Sequence, residues 1–209
     1  MKRYVCLVLG LLMILCAGCG HEVEPPMVEH AQETAAAAAT SMPAATPAAE
    51  KVSFSRGVWE ENTYVSDYAS LRMAFPDDWD YADALELEEM TERDENGNIF
   101  SMTDGWAQCK KTGESVIVLY ETLSGEDAAI TAEKYADIVA QALSEEGDIP
   151  YNVLGTETRT LCGEEYICLR GEVEGYDMQQ HYFIRRIEER MLVIIATVKD
   201  ENVLNELFQ

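Results

Sequence analysis

The chain has 209 residues, with 15 Lys and Arg against 39 Asp and Glu, and a formal net charge of −24 at pH 7. A surface this acidic is repelled by phosphate backbones, which argues against nucleic acid as a partner, and an anionic membrane surface would repel it as well. Its length leaves room for one domain with a proper core.

Lys2 and Arg3 open the chain, residues 4–15 form an uninterrupted apolar run, and Ala17 and Gly18 are small. A charged start, a short apolar centre and a small-residue end make the plan of a secretory signal peptide. The run is too short for a comfortable bilayer span, which takes about 20 apolar residues. Cys16 and Cys19 form a Cys-x-x-Cys. A redox motif of that kind belongs between a strand and a helix of a βαβ unit, and nothing foldable precedes this one. Leu15-Cys16-Ala17-Gly18-Cys19 instead resembles the lipobox of bacterial lipoproteins, departing from it at Cys16, where that family carries Leu or a similar aliphatic. The resemblance implies cleavage after residue 18, lipidation of Cys19 as the new first residue, and anchoring by several acyl chains. A single chain would hold only marginally, whereas two or more hold firmly. A plain secreted protein and an uncleaved anchor are the alternatives. Loss of Lys2 and Arg3 with residues 1–18 takes the net charge from −24 to −26.

Residues 19–53 change character. Ten of the nineteen residues at 31–49 are alanine, and Thr, Pro, Gln and Glu supply most of the others. Without aromatics or apolar periodicity no core forms, and Pro43 and Pro47 interrupt any helix that alanine would favour. Treated as a flexible coil, the segment reaches about 30 Å and reads as a tether. His21 and His30 lie in it as solvated linker residues.

Residues 54–209 form the single globular domain. Residues 57–64 alternate weakly and read as a strand, and residues 70–75 alternate with Leu71, Met73 and Phe75 on one face. Pro76 ends that strand, and Asp83 is placed to cap a helix running to about Glu92. Residues 93–105 read as loop, and residues 106–111 and 114–122 as a hairpin across Thr112 and Gly113. The clearest helix covers 131–146, where Tyr135, Ile138, Val139, Ala142 and Leu143 make one apolar stripe and Gly147 is the stop. Four strands follow at 152–161, 165–174, 178–187 and 190–199. The last is apolar at nearly every position, which predicts cover on both faces. Asp200 is placed to cap a final helix carrying Val203, Leu204, Leu207 and Phe208.

Consecutive strands with short turns predict an α+β fold, a single αβα sandwich whose central sheet is mostly antiparallel with helices on both sides. Residues 68–79, Tyr-Ala-Ser-Leu-Arg-Met-Ala-Phe-Pro-Asp-Asp-Trp, resemble the opening of PsbP-like domains: an apolar strand, Pro, two residues, then Trp. That family is an αβα sandwich whose members act mostly as binding or accessory modules, and it brings no catalytic residue to this chain. Residues 57–79 are also similar to uncharacterised lipoproteins of gut Firmicutes.

Cleavage would leave Cys19, Cys109, Cys162 and Cys168, an odd three once Cys19 carries lipid. A disulfide from Cys162 to Cys168 across a hairpin edge stands against buried free thiols acting as small hydrophobes, with the thiols favoured. His181, the sole histidine of residues 54–209, shares a strand face with Gln179, Phe183 and Arg185 and reads as a surface or partly packed residue rather than a base. Cys109, Cys162, Cys168 and His181 lack zinc spacing, and 34 acidic residues single out no carboxylate pair. Residues 94–98 have the alternating oxygens of a calcium loop but no downstream Glu at the required spacing, so a plain Asn-Gly turn comes first. Asp77, Asp78, Asp80 and Asp83 sit at a strand-to-helix junction, where carboxylates favour the helix start. Arg185 and Arg186 point to opposite faces of one strand.

The sequence therefore predicts a membrane-anchored module on the extracytoplasmic face, held by lipid on Cys19 and binding a protein or small-molecule ligand. No catalytic residue, cofactor or metal is expected. An extracytoplasmic enzyme acting on cell-envelope or glycan material, and a cation-responsive module, are the alternatives.

Overall fold

The computed structural model describes residues 53–145, 151–173 and 175–208. The signal segment 1–18, Cys19, the tether to residue 52 and Gly147 lie outside the described residues. Two antiparallel sheets organise the domain. The smaller has three strands in the order β1 (Val58–Glu60), β2 (Thr63–Ser66), β3 (Leu71–Ala74). The larger contains β4 (Trp79–Tyr81), β5 (Glu92–Arg93), β6 (Ile99–Cys109), β7 (Ser115–Thr122), β8 (Tyr151–Leu161), β9 (Glu164–Val173), β10 (Gln179–Ile187) and β11 (Arg190–Val198). Its order is β4-β6-β7-β11-β10-β9-β8, with β5 also paired to β6.

The central strand β11 shows how period-2 patterning builds the molecule. Leu192, Ile194, Ala196 and Val198 face one core, while Met191, Val193 and Ile195 face the other. All seven are buried, as the unbroken apolar run predicts, and each large side chain contributes about 1.5–3 kcal/mol of burial. The first core is closed by the three-stranded sheet and by α3 (Asn202–Leu207), whose neighbour Phe208 bridges to Met73. The second is closed by α2 (Ala132–Glu145) through Tyr135, Ala136, Val139 and Leu143. The short α1 (Ala84–Glu89) packs on β6, where Met90 O accepts from the Thr103 hydroxyl. The α+β class and the antiparallel sheet with helices on both sides are as expected. The separate sheet that covers most of the first core is not.

Several boundaries differ from the sequence reading. Residues 57–64 are two strands, because Glu61 turns the chain in the left-handed region at φ 52°. The first helix stops at Glu89, where Met90 N–H closes onto Glu86 O and Glu88 O, and Glu92–Arg93 become strand. Much of the supposed loop 93–105 belongs to the 11-residue β6, which begins at Ile99. Its apolar alternation is broken by a bulge at Asp104, between Thr103 and Gly105, and that break mimics a loop. In α2, Ala136 is buried and Ile138 only half-buried, so the buried stripe is turned slightly from the predicted one.

Tyr64 joins the two sheets. Fully buried, it packs against Gly57 and Gly105, where an added Cβ would stand 2.4 Å and 2.8 Å from ring atoms. Its hydroxyl donates to Asp104 Oδ2 at 2.5 Å, and Gly57 N donates to the same oxygen at 2.8 Å. Arg56 Nε lies 3.6 Å from Asp104 Oδ1. Burial raises the Asp104 carboxyl above its ordinary range, and the bonds from Tyr64 and Gly57 offset only part of that.

Candidate functional site

The densest polar cluster lies on the first-core face where β8, β9 and β10 run side by side. Register sets Glu157 opposite Cys168 and Arg159 opposite Tyr166 on β8 and β9, and His181 opposite Arg170 on β9 and β10. Strand alternation thereby puts Glu157, Arg159, Cys168, Arg170 and His181 on one face. Arg159 donates through Nε to Glu157 Oε1 at 2.6 Å and through Nη2 to Glu201 Oε1, just before α3. Arg170 Nε lies 3.6 Å from Glu157 Oε1, too long for a hydrogen bond, and has no other partner. Burial works against charge on Arg159, but Glu201 and Glu157 outweigh it and hold the pKa above its usual value. The bond from Arg159 correspondingly holds the Glu201 carboxyl below its usual range.

Beneath these charges sit Cys168 and His181, with Sγ 3.9 Å from Nδ1 and the imidazole stacked on Phe183. The spacing resembles a nucleophile and its base, but the electrostatics point the other way. Burial pushes the Cys168 thiol up to about 12. Burial, with the positive field of Arg159, pushes His181 down to about 4. At neutral pH both are uncharged, so no thiolate is available to attack. His181 is fully buried, against the expectation of a surface or partly packed residue, and its Nε2 has no partner.

Beside the cluster a cleft of about 330 Å³ opens between the β8–β9 turn and α3, lined chiefly by Arg159, Cys162, Phe183, Glu201 and Asn205. Its walls are mostly polar, a surface suited to holding a polar group rather than a greasy one. A broader depression of about 650 Å³ lies toward the opposite face, bordered by Thr131, Ala132, Thr158, Ile167, Ile184 and Arg186.

The remaining sequence candidates have structural work. Asp94 Oδ1 accepts from the backbone of Asn96 and Asn98, and Oδ2 from the Asn98 side chain, so residues 94–98 form a self-satisfied turn with Gly97 at φ 83°. Asp83 caps α1 in a capping box with Glu86. Asp78 and Asp80 pair with Lys111 and Lys110, and Asp77 accepts from Asn62. Arg185 bonds Ala69 O and Glu164, while Arg186 bonds Ala128 O and Ile130 O, each on its own side of the sheet. Cys109 and Cys168 are buried free thiols, so Cys168 is not joined to Cys162 in a disulfide. Among the described residues no group of three or more His, Cys, Asp or Glu is placed to hold a metal ion, and no helix is long and apolar enough to cross a membrane. Cys19 lies outside the described residues.

Sequence reasoning missed Glu121, which is only 4 % exposed on the second-core face of β7. Burial raises its carboxyl to about 7; Tyr135 of α2 hydrogen-bonds to it, and Oε1 has no partner. Alternation alone could have flagged Glu121, since it falls in register with Ile117 and Leu119.

No family model and no curated protein matches the chain. Among solved structures, it is similar to cyanobacterial PsbP (CyanoP) from Synechocystis sp. PCC 6803, at 10 % identity and a TM-score of 0.45, over 77 % of this chain and 90 % of that one. The neighbour bears the name of the family that residues 68–79 resemble, and at this identity it says nothing of ligand or activity.

Proposed function

We propose that the protein is a lipid-anchored module on the extracytoplasmic face of a cell membrane, tethered through Cys19, and that it binds a polar ligand rather than transforming one. The lipobox-like residues 15–19 and the alanine-rich segment behind them support the anchor and the spacer. The observation that carries binding over catalysis is the state of Cys168 and His181. The one histidine of residues 54–209 is sealed beneath Arg159 and Arg170 and neutral, beside a thiol that is also neutral. The cleft between the β8–β9 turn and α3 then offers a guanidinium, a carboxylate and an amide as recognition groups, without an activated nucleophile.

Cell fractionation of the full chain and of Cys19→Ser tests the anchor. The wild type is expected in the membrane fraction and the variant in the soluble extracytoplasmic fraction; retention of the variant in the membrane would overturn the reading. Incubating purified protein with cell-wall fragments tests the second half. Unchanged fragments are expected, whereas turnover that is lost in Glu201→Gln would establish an enzyme.

A further inference from the structure

The long outer strand of the large sheet has no neighbour. β8 ends the strand order, and among the described residues nothing pairs with its outer side over 11 residues. The other edges are short or covered: β4 and β1 have three residues each, and β3 is bridged by Phe208. Natural sheets blunt a long edge with charged side chains, Lys above all, with Pro or with a bulge, and the charges of β8, Glu157 and Arg159, are of opposite sign and so do not bar pairing with themselves. β8 carries neither Lys nor Pro, and its bulge, at Leu154 between Val153 and Gly155, leaves residues 155–161 regular.

Those residues read Gly-Thr-Glu-Thr-Arg-Thr-Leu, which is self-complementary in charge about Thr158. We propose that β8 is a homodimer interface, on which a second copy of this chain adds its own β8 in antiparallel register centred on Thr158. A two-fold axis through that point sets each residue opposite the one equally far on the other side of 158. Glu157 then faces Arg159 of the other copy, twice, and Thr156 faces Thr160. Opposite charges and Thr–Thr pairs are both favourable cross-strand neighbours.

Symmetry makes the register selective. A two-fold axis normal to the sheet keeps each face on its own side, so residues of the same parity must meet, and the register shifts only in steps that recentre it one residue along. Centring on residue 157 sets Glu157 against Glu157, and centring on 159 sets Arg159 against Arg159. Of these three registers, the one at Thr158 alone pairs opposite charges. Within each chain, Glu157 Oε1 and Arg159 Nε and Nη2 are engaged, so the reciprocal pairs would run through Glu157 Oε2 and Arg159 Nη1. Thr156, Thr158 and Thr160 are all exposed, so no other part of the described domain covers residues 156–160 on the opposite face. A seven-residue pairing with two reciprocal ion pairs fits a weak dimer that is sensitive to salt and concentration. This inference does not depend on lipidation at Cys19.

The test uses the full chain carrying Cys162→Ser, expressed in a bacterial host and treated with a short bismaleimide. Thr158→Cys places two thiols on the axis and is expected to give a covalent dimer on a reducing gel. Thr156→Cys leaves its two thiols about 14 Å apart along the strands and is expected to give at least tenfold less. Added to Thr158→Cys, either Glu157→Arg or Arg159→Glu is expected to cut the dimer at least tenfold. Co-expressing those two charge variants with different tags restores both opposite-charge pairs and is expected to return it as the mixed dimer, which also shows that each variant folds. No dimer from Thr158→Cys would overturn the proposal. So would equal linking at Thr156→Cys, charge variants without effect or without rescue, or linking of Thr158→Cys to a cysteine placed in residues 19–52 of its own chain.

Discussion

Glu121 is the residue whose ionisation costs the fold most visibly. Its carboxyl is raised from an ordinary 4.5 to about 7 by burial, so the folded state holds a proton that the unfolded chain has already lost. Stability from this group is therefore full below about pH 4.5 and falls as the pH rises through 7. Glu121→Gln is expected to be more stable than the wild type at pH 8, by up to about 3 kcal/mol, with the difference vanishing near pH 4 in urea titrations. His181 has the opposite sign. Its pKa is depressed to about 4, so its contribution is present above about pH 6.5 and is lost as the pH falls toward 4. An NMR titration is expected to show the imidazole charging near 4, and the Cys168 thiol is expected to resist iodoacetamide at pH 8 until the protein is unfolded. A titration midpoint near 6.5, or rapid alkylation of Cys168 in the folded state, would reopen the case for a catalytic pair.

At the scale of elements, the regular parts of the fold were legible and the interruptions were not. The hairpin of residues 106–122, the helix α2 and the run β8 to β11 are legible because local patterning marks them: alternation or an apolar run in the strands, a single apolar stripe in the helix. The start of β6 reads as loop because Asp104 and Gly105 break its alternation. Both residues are there for contact with Tyr64 across the sheets, and no local pattern encodes that contact. The buried carboxylates differ in this respect: Glu121 falls in alternation with Ile117 and Leu119, whereas nothing local separates Asp104 from the other acidic residues of a domain that carries 34. The strand face of His181 was legible, its complete burial was not, since α3 and the charge cluster close over it from far along the chain. Gly105→Ala is expected to cost about 1–3 kcal/mol in chemical denaturation, because its Cβ would press the Tyr64 ring held between the sheets. Asp83→Ala is expected to cost about 1 kcal/mol through loss of the α1 capping box, a smaller effect on a helix of six residues. A cost for Asp83→Ala above that for Gly105→Ala would mean that α1, not the Tyr64 junction, holds this end of the sheet together.

For the whole molecule, the proposed location rests on a stretch of sequence and the proposed recognition on the folded domain, and the two are separable. The domain gives a polar cleft beside a compensated charge cluster and a bare, self-complementary sheet edge. The proposed membrane address rests on the first twenty residues of the sequence. The central claim is that Cys19 carries lipid, and mass spectrometry of the N-terminal peptide from protein purified out of bacterial membranes addresses it directly. The expected result is a peptide beginning at Cys19 with the added mass of two or more acyl chains, absent from Cys19→Ser. A peptide that begins at another residue, or an unmodified Cys19 in membrane-derived protein, would contradict it.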